Sequence, residues 1–191
     1  MHAYFYPVPM AALTSKTTPM NTRRKLEPEK AARELLEAQG IRKAPIPVDK
    51  IAKALGVQIR YSPLDEELSG MIYIKDGIPI IGVNALHHPN RQRFTIAHEL
   101  GHYMLHRNVL SNEVHVDKQF KILMRDSKSS AGTDAMEVEA NKFAAELLLP
   151  EFLIEDILAH SAFDIDDPAP LDELAKKFRV SKQMLEYRIR G

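Results

Sequence analysis

His98-Glu99-Leu100-Gly101-His102, near the middle of this 191-residue chain, has the spacing of a metal-binding helix. On an α-helix, residues four apart lie on one face about one turn apart, so both imidazoles can reach a single metal ion. The carboxylate of Glu99 lies between them and can face a water on that ion, which is the layout of a zinc hydrolase. The alternative is a chance match in a chain with eight histidines, on a solvated helix face without metal.

The residues around this pentapeptide predict an amphipathic helix. Asn90, which follows Pro89, is the expected cap of its N-terminus. The two histidines lie along the edge of an apolar stripe, where packing can fix their rotamers while one side stays open to water. The stripe recurs at steps of three and four and consists of Phe94, Ala97, Leu100, Gly101, Met104 and Leu105.

A catalytic zinc site usually has three protein ligands, so a third ligand must come from elsewhere in the chain. The metzincin pattern would require Gly and His where this chain has Leu105 and Asn108, which excludes that subclass. His106 shares the helix face of the two histidines, but about 12 Å of helical rise separates it from His98. We therefore interpret His106 as a packing residue or as a support for the ligands.

A second amphipathic helix is predicted over residues 134–150, DAMEVEANKFAAELLLP, and it supplies the best candidate for the third ligand. At about 100° per residue, Glu137 falls about 60° from the centre of the apolar stripe. Glu139 and Glu146 fall about 100° or more away on the other side. A carboxylate on the buried face needs a partner, so Glu137 is the predicted zinc ligand.

Two further residues of this helix bear on that prediction. Asn141 lies one turn after Glu137 and can hydrogen-bond a ligand and orient it. In the alternative, Asp134 and Glu137 form a capping box, and Glu137 serves only the helix N-terminus.

The two motifs together resemble the ImmA/IrrE family of zinc metallopeptidases. The resemblance rests on RFTIAHELGH at residues 93–102 and on EVEANKFAAELLLP at residues 137–150. In the order of its elements it extends from about Ala31 to Arg188. Two separated motifs in the right order are more specific than either motif alone.

The resemblance implies a gluzincin-like site and a reaction. In such a site His98, His102 and Glu137 bind one zinc ion per chain, and Glu99 is the general base of peptide-bond hydrolysis. The resemblance also implies a protein substrate, a helix-turn-helix transcriptional repressor or an antitoxin, and thus a role in transcription regulation or the stress response. The donor that stabilises the oxyanion is left open among four candidates, Tyr73, Tyr103, His115 and His160.

The segment ahead of the first motif predicts an α+β fold. Helices are expected over 28–39 and 48–55, each followed by a glycine, and residues 57–61 alternate as a strand. Two more strands, 69–75 and 78–83, are joined by an Asp76-Gly77 turn. We expect a minimal zincin-like domain with a small antiparallel sheet, zinc-site helices and a helix-turn-helix-like C-terminal piece.

The chain is expected to divide into three parts. Residues 1–22 are rich in Pro, Thr and Met without periodicity and are expected to be a flexible tail. Residues 23–160 form the metallopeptidase domain, and residues 161–191 form a helical extension packed on it.

The C-terminal extension supports an alternative function. Residues 171–189 predict two helices joined by a turn, with Ser181 capping the second. A DNA-binding regulator is therefore one alternative, but acidic residues dilute its basic face and Arg179 occupies a turn position often held by glycine. The other alternative is a non-catalytic protein that binds a repressor. The basic face consists of Lys182, Arg188 and Arg190.

Composition excludes several classes of protein. The chain has no cysteine, which excludes disulfides, thiol catalysis and cysteine-zinc sites and is compatible with the cytoplasm, where we expect the protein to act. Its 26 basic and 26 acidic side chains balance, so no overall field directs it to nucleic acid or a membrane. No apolar run of about 18 residues is present to span a bilayer.

Overall fold

The computed structural model describes residues 27–110, 115–117, 133–160 and 168–190, so the predicted tail over residues 1–22 lies outside it. Eight helices and four strands lie within these ranges. In chain order they are α1 Pro28–Ala38, α2 Val48–Ala54, β1 Gln58–Ser62, β2 Gly70–Lys75, β3 Ile78–Asn84, α3 Pro89–Leu105, α4 Arg107–Leu110, β4 His115–Asp117, α5 Thr133–Leu148, α6 Glu151–His160, α7 Pro168–Phe178 and α8 Lys182–Arg190.

The four strands form one sheet in the order β1-β3-β2-β4. Strands β2 and β3 are an antiparallel hairpin, and Asp76 and Gly77 at its turn have φ values of 53° and 77°, as a type I′ turn requires. The α+β class is confirmed, but the sheet is mixed rather than antiparallel throughout, because β1 pairs in parallel with β3. The hairpin pairs β2 with β3, and β1 occupies the other side of β3, where it runs in the same direction.

Helix α3 begins two residues earlier than expected from the predicted cap. His88 is the N-cap residue, and its Nδ1 accepts a hydrogen bond of 3.2 Å from the backbone N–H of Asn90. The prediction that Asn90 caps the helix is therefore wrong. Pro89 takes the first helical position, which suits its fixed φ, and the Asn90 side chain instead donates a 2.9 Å hydrogen bond to the carbonyl of Val180.

Helix α3 packs between the sheet and α5, and a glycine sets its distance from α5. A Cβ atom at Gly101 would lie 3.0 Å from Cα of Ala140 and 3.2 Å from the ring of Phe143. Only glycine fits so close an approach without a shift of one helix. The two helices run antiparallel, since His98 faces Asn141 and His102 faces Glu137 across the contact.

The C-terminal helices α7 and α8 form the expected pair. Ser181 Oγ accepts a 3.2 Å hydrogen bond from the backbone N–H of Met184, which confirms Ser181 as the cap of α8. Arg179 adopts a positive φ of 56° at the turn. Its carbonyl accepts a 3.2 Å hydrogen bond from Nε of Arg93 on α3, so the pair contacts the rest of the fold. The division at residue 161 stays a prediction.

None of the described helices is both long enough and apolar enough to cross a lipid bilayer.

Candidate metal centre

Helices α3 and α5 bring His98, His102 and Glu137 together. Nε2 of His98 lies 3.0 Å from Nε2 of His102, and each nitrogen lies 3.2 Å from one oxygen of Glu137. Both histidines are buried, whereas the Glu137 side chain keeps 34% of its surface exposed. The cluster therefore opens to solvent on the side of Glu137.

The spacing of these three side chains fits a tetrahedral zinc ion. Donor atoms about 2.0–2.1 Å from a tetrahedral zinc lie about 3.3 Å from one another. The two imidazole nitrogens lie 3.0 Å apart, and each lies 3.2 Å from a different oxygen of Glu137. One ligand atom from each of the three residues lies within 4.8 Å of the others. Two imidazoles and one carboxylate are also a donor set that zinc prefers. The three residues can thus hold a metal ion and leave a fourth position open.

Asn141 determines how the His98 ring would present its nitrogens. Nδ1 of His98 lies 2.9 Å from Oδ1 of Asn141, an atom that can only accept a hydrogen bond. Nδ1 therefore carries the proton, and the lone pair of Nε2 faces Glu137. This is the tautomer that a metal ligand needs, and it agrees with the orienting role predicted for Asn141.

A second chain of hydrogen bonds supports His102. Nδ1 of His102 lies 3.2 Å from Nδ1 of His106, and Nε2 of His106 lies 3.0 Å from Oε2 of Glu139. The Glu139 carboxylate accepts the proton of His106 Nε2, which leaves His106 Nδ1 as the acceptor for His102 Nδ1–H. His106 thus supports a candidate ligand, one of its two predicted roles. The part played by Glu139 was not predicted.

Glu99 is fully buried between α3 and the start of β2. A Cβ atom at Gly70 would lie 2.3 Å from Cγ2 of Thr95 and 3.6 Å from Oε1 of Glu99. Glycine at the first residue of β2 therefore lets the strand pass close over Thr95 of α3. The Glu99 carboxylate lies beside this approach, on the helix turn that carries the two histidines.

Comparison with known proteins decides the family. The protein-family model described as Peptidase_M78, IrrE N-terminal-like domain, matches residues 52–190. This stretch includes both helices of the candidate metal centre. The chain belongs to this family. The resemblance to ImmA/IrrE proteins carried by the two motifs is confirmed.

Individual members and structures extend the comparison. The chain is 24% identical over 139 residues to the uncharacterized immunity region protein 2 of Bacillus phage phi105, covering 73% of this chain and 80% of that protein. It is 29% identical over 99 residues to metallopeptidase ImmA of Bacillus subtilis (strain 168), covering 51% and 48%. A solved Mycobacterium tuberculosis transcriptional regulator has a TM-score of 0.57 at 20% identity, covering 83% and 45%. The chain thus spans about half of the length of ImmA, and the regulator shows the fold alone.

The four residues considered as donors to the oxyanion lie in different parts of the fold. Tyr103 is 9% exposed and belongs to the hydrophobic core, with the guanidinium of Arg107 5.0 Å from its ring centre. Tyr73 is half-buried on β2. His115 begins the short strand β4 and His160 ends α6, and both side chains lie outside the described part of the chain.

The position of Glu146 on α5 differs from the one predicted from its angle to the apolar stripe. It was placed outside the buried arc, yet it is fully buried and forms a close ion pair with Arg188. Arg33 lies 3.5 Å away, and the backbone N–H of Glu151 donates a 3.3 Å hydrogen bond to the carboxylate. Burial raises the pKa of Glu146, and Arg188 opposes that rise. This carboxylate therefore connects α1, α5, α6 and α8.

The basic face predicted for the last helix is largely engaged within the protein. Besides its ion pair with Glu146, Arg188 donates a 3.2 Å hydrogen bond to the carbonyl of Leu149. Nζ of Lys182 lies 3.0 Å from a carboxylate oxygen of Asp172. Because two of its three cations have acidic partners, this face is poorly suited to bind phosphates.

Proposed function

We propose that this chain is a zinc-dependent endopeptidase that hydrolyses a peptide bond in a specific protein partner. The carrying observation is the convergence of His98, His102 and Glu137, with Glu99 buried on the same turn of α3. Such a constellation has the residue types and spacing of a gluzincin site. The membership of the chain in a metallopeptidase family supports the same reaction class.

Each of the four residues has a role in the proposed reaction. His98, His102 and Glu137 would hold the ion, and a zinc ion held there supplies a Lewis acid that acidifies water toward a pKa of about 7 and polarises a carbonyl. Glu99 would accept the proton of the attacking water and deliver it to the leaving amine. Burial keeps its carboxylate in place for both transfers, and Asn141 and His106 keep the two imidazoles in the required tautomers.

The proposed substrate is a helix-turn-helix repressor or antitoxin. One relative supports a regulatory setting by its name, since it is an immunity region protein of a phage, and the other, metallopeptidase ImmA, supports the reaction class. A protein of this kind would act in the cytoplasm, where its regulator is found. The proposed organisation is a metallopeptidase domain over residues 23–160 that carries the C-terminal helix pair.

The test combines metal content with cleavage. Purified wild type, His102→Ala, Glu137→Ala and Glu99→Gln are analysed for zinc and then incubated with candidate regulators, which are the helix-turn-helix proteins that the source genome encodes near this chain. We expect about one zinc per chain in wild type and Glu99→Gln, loss of zinc in the other two variants, and cleavage by wild type alone. The masses of the regulator fragments, measured by mass spectrometry, would locate the cleaved bond.

Each contrary outcome identifies an alternative. If wild type cannot be loaded with metal, the enzyme proposal is wrong. If zinc-loaded wild type binds the regulator without cutting it, the protein is a non-catalytic interaction partner. Duplex binding that weakens steeply with salt and is lost with Lys182→Ala would instead favour the DNA-binding alternative.

A further inference from the structure

A cavity of about 570 Å³ lies between the first turns of α3, the middle of α5 and the C-terminal helix pair. Neither the metal cluster nor the core accounts for it. Helix α8 supplies one wall, which gives the C-terminal pair a role besides covering the domain. The apolar lining of the cavity consists of Phe94, Ala145, Ala175, Val180, Met184 and Tyr187.

The cavity adjoins the candidate metal centre. Asn141 lines the cavity and also holds Nδ1 of His98 at 2.9 Å. Phe94 lines it too, and its ring centre is 6.3 Å from that of His98. On α5, Glu137, Asn141 and Ala145 follow one another at four-residue steps, so the cavity begins about 6 Å, or just over one helical turn, beyond the cluster. The metal centre and the cavity therefore follow the same seam between α3 and α5.

The distance matches the reach of an extended peptide. A peptide in extended conformation advances about 3.3 Å per residue. With a scissile carbonyl at the metal centre, a side chain about two to four residues away would reach the cavity. Side-chain subsites close to the scissile bond are where a peptidase can discriminate between substrates.

The chemistry of the lining selects the kind of side chain. The walls are mostly apolar, and Met184 is a flexible side chain that adapts to differently shaped partners. Among the lining residues that the structure describes, Arg91, Lys176 and Lys182 are cations and Asp172 is a carboxylate. Asp172 pairs with Lys182, so the excess of positive charge remains at Arg91 and Lys176. This combination suits an apolar side chain with an acidic neighbour.

We propose that this cavity is a substrate subsite that binds an apolar side chain near the scissile bond, next to an acidic residue. The inference rests on the proposed peptidase function but concerns where the peptide lies, so binding can test it without turnover. The probes are short peptide hydroxamates, in which the hydroxamate binds zinc. One series carries glycine throughout, and the others carry leucine at one of the first four positions, followed by Asp or Lys.

The affinities are measured by calorimetry on the zinc-loaded full chain. Leucine at one position should tighten binding about 10-fold or more over glycine, as expected for burial of that side chain. Asp beside it should bind more tightly than Lys, and Lys176→Ala should reduce that difference. Ala145→Phe fills the cavity and should abolish the gain from leucine while the all-glycine hydroxamate still binds. Ala38→Phe, at an exposed position of α1, is the matched control and should behave as wild type.

Three outcomes would overturn the subsite. They are the absence of hydroxamate binding to the zinc-loaded protein, equal affinity for all of the series, and a leucine gain that survives in Ala145→Phe. Met184→Asp places a charge in the cavity from α8 and gives a second test if Ala145→Phe melts early. If leucine tightens binding and Ala145→Phe abolishes that gain, the subsite is supported. If the regulator also stays uncut in the cleavage assay, only the proposed substrate is refuted.

Discussion

Glu139→Gln is expected to weaken zinc binding although Glu139 is not a predicted ligand. In the structure the Glu139 carboxylate accepts the proton of His106 Nε2 at 3.0 Å, and His106 Nδ1 lies 3.2 Å from Nδ1 of His102. Glutamine has the same length but no charge, and its amide can turn a donor toward His106. The substitution therefore weakens the hydrogen bond that fixes the tautomer of His106, and through it the orientation of His102.

The size of the effect follows from the kinds of hydrogen bond involved. A hydrogen bond to a charged group contributes about 1.5–3 kcal/mol, and a neutral one about 0.5–1.5 kcal/mol. The expected loss is thus about 1–1.5 kcal/mol, which is about a tenfold increase in the zinc dissociation constant. His106→Phe removes the acceptor for a buried His102 N–H and should cost about 10-fold or more. Supports of this type commonly change metal affinity by about 10–100-fold.

Competition with a chromophoric chelator at pH 7 gives the dissociation constants. Glu155→Gln, at an exposed position of α6, is the matched control and should leave the affinity unchanged. Because Glu139 acts on His102 only through His106, Glu139→Gln in a His106→Phe background should weaken zinc binding little further. Zinc affinities within about twofold of wild type for both single variants, or full additivity in the double variant, would refute the hydrogen-bond chain.

Three other substitutions test the helix packing. Gly101→Val should lower the free energy of unfolding by about 1–3 kcal/mol, measured in urea, because its side chain meets α5; a melting curve like that of wild type would contradict the close approach. Arg188→Met should cost about 1.5–3 kcal/mol at pH 7, the contribution of a hydrogen bond to a charged group, because the buried Glu146 carboxylate keeps only Arg33 and the backbone N–H of Glu151. Since the pKa of Glu146 is raised in the folded state, that deficit should shrink as the pH falls through it, and a pH-independent deficit would refute the pairing. Asn141→Ala should weaken zinc binding about 10-fold by freeing the ring of His98, and an unchanged affinity would exclude that role.

Turn and capping residues predicted those parts of the fold whose sequence signals are local. The hairpin at Asp76-Gly77, the helix ended before Gly40 and the cap at Ser181 all depend on a few adjacent residues, and the structure has them. The short helix α4 and the strand β4 were not predicted. A four-residue helix and a three-residue strand are too short for a repeating pattern. The parallel pairing of β1 also depends on a distant strand that the local pattern does not reveal.

Glu139 and Glu146 show the limit of the helical wheel for the site. Both were judged by their angle from the apolar stripe of α5, and that angle ignores what the neighbouring helices present. Glu146 lies where Arg188 of α8 can pair with it, and Glu139 lies where His106, the C-cap residue of α3, contacts it. Such partners are 42 and 33 residues away in the chain, so only the packing of the helices identifies them.

The antiparallel contact of α3 and α5 explains how a ligand set survives a long connection between its two motifs. His98 faces Asn141 and His102 faces Glu137, so each step of four residues on one helix matches a step of four on the other. Gly101 fixes the distance between the helices where those pairs meet. A rotation of α5 by one residue, about 100°, would exchange Glu137 for its exposed neighbour Val138 and leave the two histidines without a carboxylate. The register of the third ligand is therefore set by helix packing, and the length of the connection between the motifs does not determine it.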